Sequence, residues 1–512
     1  MATKLQTRLL TWLSFILMFI QTSNEAFASH AQSADITYQC LGGNQYQISL
    51  SFYRDCAGVV APATVSINLS SASCGENYNL TLNPIPGTGQ DVSPICSAFN
   101  TECSGGTYPG VQEFIYRGIT TLPASCTDWV FSFTLCCRNA SIGTILNPSA
   151  ESIYVEATLD NLNFPCNNSP NFSNAPIPFV CSNQPYCFNN GSSDIDGDSL
   201  YFTLITPQTS ATTTVTYNPP YSAAQPLASS PAVTFDNLTG DMCMTPTMIQ
   251  VTVFAVLVQE YRNEILVGSV MRDIQMRTIS CTNNNPYVAG INNTGTYSLT
   301  SCAGIPINFT IDTYDIDSAQ NVSIVWNGAI AGATFTSSGG ARPTGTFSWT
   351  PTAADISTAS HCFTITVQDD NCPYNGSQTF AFCITVTGIV LNTTASPANC
   401  NASNGSADVT IVTGTGPYTY QWLPSGGTTS SENGLSSGTY TVNVTGANGC
   451  MSSATATVGV GEAPGNVNMT GTNVSCFGGT NGAATANSSG GTPPYTFLWS
   501  NGATTSTITG LT

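Results

Sequence analysis

Asp194, Asp196 and Asp198 form an Asp-x-Asp-Gly-Asp run, and a second stretch carries Asp312, Asp315 and Asp317. Alternating aspartates on a turn can aim several carboxylates at one point. Such a set suits Ca²⁺, a hard cation that takes about six to eight oxygen ligands. Each run is followed by a further acid late in a strand-like segment: Glu260 for the first, Asp369 and Asp370 for the second. These acids are the candidate calcium ligands, and calcium is the one cofactor the sequence suggests. The alternative is an ordinary tight turn, in which Asp side chains accept from nearby backbone N–H groups. Neither run has the terminal Glu and spacing of an EF-hand loop.

The surroundings of the two runs match. Cys181-Ser-Asn-Gln-Pro-Tyr-Cys-Phe leads to Asp194-Ile-Asp196, and Cys302-Ala-Gly-Ile-Pro-Ile-Asn-Phe leads to Asp315-Ile-Asp317. Further on, Gly240 with Thr245-Pro246 matches Gly345 with Thr350-Pro351, and Gly268-Ser269 matches Gly376-Ser377. Val258-Gln-Glu260 also matches Val367-Gln-Asp369. The offset drifts from 121 to 105 to 109, as expected if loops of different length join shared strands. Residues 166–286 and 287–388 therefore read as two copies of one unit.

That unit should be built from strands. Runs such as Tyr46–Phe52, Trp129–Leu135, Ser152–Thr158 and Thr439–Thr445 alternate or are rich in β-branched and aromatic residues. Gly, Pro, Asn and Ser break them at short intervals. Sustained helical periodicity occurs only near the N-terminus. The expected fold class is all-β: tandem antiparallel β-sandwiches, Ig-like or cadherin-like, in a linear array.

A second duplication lies near the C-terminal end. Asn404-Gly405, Gly414, Pro417-Tyr418 and Trp422 recur as Asn481-Gly482, Gly491, Pro494-Tyr495 and Trp499, each displaced by 77 residues. A fixed period of this size marks an array of modules rather than one catalytic core. Cys400 and Cys450 bracket the first copy and are expected to pair. The second copy stops at Thr512 before its matching Cys, so the chain reads as the front of a longer protein.

Lys4 and Arg8, the apolar run Leu9–Ile20 and then Ala26-Phe27-Ala28 have the order of a secretory signal peptide over residues 1–28. The apolar run is too short to span a bilayer comfortably, and no later stretch does so, so no membrane insertion is expected. Twenty Cys in an exported chain read as disulfides. Adjacent Cys136 and Cys137 on a strand should point to opposite faces and seek separate partners. Charged residues make up only 7% of the chain, and the net charge is −19. That balance excludes an electrostatic grip on nucleic acid or an anionic membrane.

Catalysis is poorly provisioned. His361 is the single His beyond His30, and it begins a strand-like run with no partner motif. Nucleophile-elbow, zinc-protease and phosphate-loop motifs are absent. A paired-carboxylate glycosidase needs no such motif, yet nothing local singles out a pair. The chain is read as a non-enzyme. Arg54, Arg138, Arg262 and Arg272 recur beside aromatic and acidic residues, the setting of semi-buried Arg–Asp pairs that fix strand packing.

The run Cys476-Phe-Gly-Gly-Thr-Asn-Gly482, followed by Gly490-Gly491-Thr-Pro-Pro-Tyr495-Thr-Phe-Leu-Trp499-Ser-Asn-Gly502, resembles the SprB-type repeat of gliding-motility surface proteins of Bacteroidota. The stretch from Cys400 to Cys450 looks like the same repeat. Tyr53-Arg-Asp-Cys56, Cys136-Cys-Arg-Asn139, Glu260-Tyr-Arg-Asn263 and Gly268-Ser-Val-x-Arg-Asp-Ile-Gln275 are similar to the front region of gliding-motility-associated proteins. The resemblance implies export through the type IX secretion system, display on the cell surface, and the secretion and motility machinery as partners. The expected organisation is a signal peptide at 1–28, a Cys-rich β domain at 29–165, and sandwiches at 166–286 and 287–388. A SprB-like repeat at 389–461 and an incomplete one at 462–512 complete it. The expected role is a secreted adhesin or stalk that holds a glycan or other surface ligand. The alternatives are accessory modules of a secreted carbohydrate-active enzyme, or a plain structural spacer.

Overall fold

The computed structural model describes residues 31–399, 402–461, 465, 467–491 and 493–512. The signal-peptide reading at 1–28 and Cys400 lie outside the described residues. Among the described residues the regular structure is strands and four short 3₁₀ turns, with no α-helix. The chain is an all-β protein of antiparallel sheets. It divides into two compact units. One is Met1–Ser298 with Asn308–Ser348 and His361–Cys383; the other is Leu299–Ile307 with Trp349–Ser360 and Ile384–Thr512.

The first unit is organised by a fourteen-stranded sheet. Alternation directs one face of several strands inward. Gln45–Asp55 buries Tyr46, Ile48, Leu50 and Phe52, while Val65–Ser71 buries Val65, Ile67 and Leu69. Trp129–Cys136 adds Trp129, Phe131 and Phe133 to the same core. Each such side chain contributes about 1.5–3 kcal/mol by leaving water.

Ile265–Ile279 is different, because Val267–Met276 is buried without interruption. It pairs with Val251–Arg262 along one edge. Along the other edge, Arg272–Ile274 meets Ser33–Asp35 and Gly268–Val270 meets Ala157–Leu159. Neighbours on both sides and cover on both faces explain the absence of alternation. Its hairpin to Val251–Arg262 turns at Asn263 and Glu264, with φ of 52° and 66°. Two left-handed residues in succession give a turn whose twist matches that of the strands.

This sheet corrects the boundary expected at residues 165/166. Strands from 29–165 and from 166–286 are neighbours in one sheet, so the two segments share a fold. Cys40–Cys166 also joins them.

The duplication of 166–286 in 287–388 is visible in the pairing. Ser199–Ile205 pairs with Val251–Arg262, as Val322–Trp326 pairs with His361–Asp369. Thr234–Phe235 pairs with Met242–Met244, as Thr334–Ser337 pairs with Thr344–Trp349. His361 opens its strand and is half-buried.

In the second unit, Val390–Ser396, Gly405–Thr413 and Ser431–Leu435 form one three-stranded sheet. Thr419–Leu423, Gly438–Thr445 and Met451–Val458 form another. Their shared core includes Ala407, Val409, Trp422, Val442 and Val444. The second repeat contributes a further sheet of Val467–Thr472, Gly482–Ser488 and Thr507–Leu511.

Among the described residues there are nine disulfides. Two depart from the sequence reading. Cys136 and Cys137 bond to each other across a cis peptide, which brings their Cα atoms to 3.1 Å, so the opposite-face geometry of an extended strand does not apply. Cys450 pairs with Cys302 rather than Cys400. It follows the turn Gly446–Gly449, with its Sγ 3.3 Å from the Thr387 hydroxyl. Cys181, the counterpart of Cys302, closes instead on Cys281 within its own copy. Cys476 is free and exposed.

Candidate functional site

The first Asp run forms a compact loop. Asp194 Oδ1 accepts from the backbone N–H groups of Asp196 and Asp198 at 2.9 and 3.0 Å. Gly197 takes a φ of 81°, which lets the chain turn back between them. The Asp196 carboxylate accepts from the backbone N and Nδ2 of Asn168, both at 2.8 Å. Arg262 donates to both oxygens of Asp198 through Nε and Nη2, each at 2.7 Å.

Glu260 enters from below, near the end of Val251–Arg262, and is closed to solvent at 0% exposure. Asn167 Nδ2 donates to its Oε1 at 2.7 Å, and the Tyr38 hydroxyl lies 3.0 Å from the same atom. Carboxylate oxygens of Asp194, Asp198 and Glu260 come within 4.8 Å of one another. Gly268, directly opposite Glu260 in the ladder, leaves the space: a Cβ there would sit 2.3 Å from Glu260 Oε1. Burial pushes the Glu260 carboxyl up to about 9, with the Asp194 charge adding to it. Burial also raises Asp194 to about 6, helped by the charges of Asp198 and Asp196.

The second run reuses this frame with different contents. Asp315 Oδ1 accepts from the Asp317 N–H at 2.8 Å, and Asp317 accepts from the Asn284 N–H at 2.8 Å. Asn283 Nδ2 donates to Asp369 Oδ2 at 2.7 Å, as Asn167 does to Glu260. Gly376 mirrors Gly268, since its Cβ would lie 2.3 Å from Asp369 Oδ2. Ala319, however, stands where the first run has Asp198. Asp369 Oδ1 is satisfied by the N–H groups of Asn371 and Gly376 at 3.0 and 2.8 Å. Arg342 Nη2 lies 3.9 Å from Asp315 Oδ2.

Two predicted ligands lie apart from this cluster. Asp312 accepts from Thr344 Oγ1 at 2.6 Å and from Asn293, bonds that lower its carboxyl. Asp370 accepts from the N and Nδ2 of Asn321, both at 2.8 Å, and is likewise held low. The sequence reading missed Asn167 and Asn283. The shared signal is an asparagine pair just after a cysteine, Cys166-Asn-Asn168 and Cys281-Thr-Asn283-Asn284.

In the repeats, Trp422 is fully buried and its indole N–H donates to Thr429 O at 2.9 Å. The Trp499 indole donates to Thr505 O at 2.7 Å, although the ring is only half-buried. Tyr418 and Tyr495 are half-buried, and Pro417 and Pro494 are exposed. Trp422 and Trp499 thus each pin a turn of their repeat through the indole N–H.

Fold and site together define a disulfide-braced all-β protein with a loop-borne carboxylate cluster. The SprB repeat family model matches residues 392–427 and 469–504, so the chain carries SprB-type repeats. No curated protein matches the chain. Among solved structures, the human desmocollin-1 ectodomain is similar at 10% identity, covering 84% of this chain and 81% of that one, with a TM-score of 0.20. The N-terminal four Ig domains of Dscam1 isoform 4.44 match at 12% identity, covering 84% and 100%, TM-score 0.20. Protocadherin gamma B2 cadherin domains 3–6 match at 13% identity, covering 63% and 84%, TM-score 0.20. The all-β class rests on the strands themselves. Among the described residues no helix is long and apolar enough to cross a membrane.

Proposed function

We propose that this chain is an exported, non-catalytic cell-surface protein that works as an adhesin or stalk in surface attachment or gliding motility. The SprB repeat match supports this most directly: the matched stretches start at 392 and 469, the 77-residue interval of the sequence repeat. Nine disulfides fit assembly in an oxidising compartment. The role is mechanical, with braced sheets bearing load while an exposed surface holds a glycan or another surface ligand. By resemblance, the secretion and motility machinery delivers it.

The absence of catalysis is part of the reading. Asp194, Asp198 and Glu260 gather carboxylates, the groups that glycoside hydrolysis uses. Glu260, however, is sealed from solvent, so a sugar does not reach it. The test is surface labelling of intact producing cells, with glycan-array binding and a polysaccharide-degradation assay on the full chain. Labelling from outside and ligand capture without sugar release is the expected outcome. A chain retained inside the cell, or one that turns over polysaccharide, defeats the proposal.

A further inference from the structure

We infer that the loop Asp194–Asp198 and Glu260 hold one calcium ion, and that the duplicated run at Asp315–Asp317 holds none. This inference stands apart from the surface-attachment reading and does not depend on it.

Glu260 carries the argument. The side chain is entirely closed to solvent, and its Oε2 has no hydrogen-bond partner. Asp194 Oδ2, in the same cluster, is also buried without a partner. A buried carboxylate oxygen with neither donor nor counter-charge is costly, and proteins pair it, protonate it or give it to a metal. The nearby cation does not fill that role. Arg262 commits Nε and Nη2 to Asp198, and Nη2 also donates to Asn167 Oδ1 at 2.8 Å.

Ligand chemistry selects the ion. Every converging donor is a carboxylate oxygen, with no imidazole or thiolate to favour zinc or copper. The donors come from a turn and a strand rather than an octahedral cage. That suits Ca²⁺, which tolerates irregular geometry, better than Mg²⁺.

The second copy serves as an internal control. It keeps the asparagine clamp and the facing glycine but has Ala319 in place of the third carboxylate. Both oxygens of Asp369 are satisfied, and Arg342 approaches Asp315. Asp315 Oδ2 is buried without a hydrogen-bond partner, as Asp194 Oδ2 is, so the two copies differ in the missing third carboxylate and in the full satisfaction of Asp369. In the first copy an ion would join the Asp loop to the Glu260 strand. It would also fix Asn167, whose neighbour Cys166 is bonded to Cys40.

Calorimetric titration of the full chain with Ca²⁺ after chelator dialysis tests this. The expected result is one ion per chain, with a dissociation constant about 10⁻⁴ M or tighter. Glu260→Gln and Asp194→Asn should each weaken it about tenfold or more, whereas Asp315→Asn should leave it unchanged. Folding of each variant is checked by circular dichroism, and if Glu260→Gln does not fold, Asp194→Asn decides. Wild-type chain with no binding heat and no calcium-dependent rise in melting temperature overturns the inference. So does binding that survives in folded Asp194→Asn, or that is lost in Asp315→Asn.

Discussion

Arg138 and Asp273, 135 residues apart in sequence, meet through two 2.7 Å hydrogen bonds with their side chains 1% and 0% exposed. Arg138 also reaches the carbonyls of Ser152 and Gln208, each at 3.1 Å. The pair therefore ties three distant segments to the buried central strand. Asp273→Asn leaves the guanidinium buried without a counter-charge and should cost about 3–5 kcal/mol. The double variant Arg138→Met/Asp273→Leu should recover part of that loss. Urea midpoints of the three proteins check both statements, and a single variant as stable as wild type refutes them.

Gly268 and Gly376 occupy equivalent ladder positions facing Glu260 and Asp369. A methyl group at either would overlap a carboxylate oxygen at 2.3 Å. Each Gly→Ala change is expected to destabilise by about 1–3 kcal/mol. Gly143, with nothing within 4 Å of a Cβ, is the control and should shift stability by less than about 0.5 kcal/mol. Equal effects at all three sites would contradict the packing account.

Asp241 is raised from 3.8 to about 6, chiefly by burial, even though Asn189 Nδ2 donates to it at 2.7 Å. Its folded-state pKa lies above the unfolded one, so between these values the folded chain binds the extra proton. Its contribution to stability therefore rises as pH falls from about 6 towards 3.8, and is lost as pH rises. Asp241→Asn removes that dependence. Its melting temperature relative to wild type should be more favourable near pH 7 than near about pH 4. The same difference at both values would show that this carboxyl is not the cause.

Proteolytic mapping without reduction should yield a Cys302–Cys450 crosslinked peptide and the adjacent Cys136–Cys137 bond. Cys476 should be open to alkylation in the folded chain. Recovery of a peptide joining Cys400 to Cys450 would overturn this arrangement.

Trp422 fills the centre of its repeat, so Trp422→Ala should cost about 3–5 kcal/mol in that module. Trp499→Ala removes a ring that is only half-buried and should cost less. Tryptophan fluorescence during denaturation separates the two, and a larger loss at Trp499 would contradict the burial.

Local features were legible in the sequence, and distant partnerships were not. Alternation located Gln45–Asp55 and Trp129–Cys136, because one face of each strand looks into the core. The Asp runs and the matching landmarks revealed the duplicated frame. The Arg–Asp reading was right in kind, yet Arg138 pairs with Asp273 and Arg272 with Asp35, far from any neighbour in the chain. Strand pattern does not name the strand alongside. The junction near residue 165 looked like a boundary because nothing local shows that Ser33–Asp35 lies beside Arg272–Ile274. Among the nine acids proposed as ligands, the two clusters are separated by Ala319, which supplies no third carboxylate, and by the N–H groups of Asn371 and Gly376 that satisfy Asp369 Oδ1.

Cys40–Cys166, Cys96–Cys372 and Cys302–Cys450 enclose spans that overlap in succession. Every peptide bond from residue 40 to residue 450 therefore lies within at least one covalent loop. A single protease nick anywhere in that range leaves both halves tethered, so the polymer survives damage that would sever an uncrosslinked string of beads.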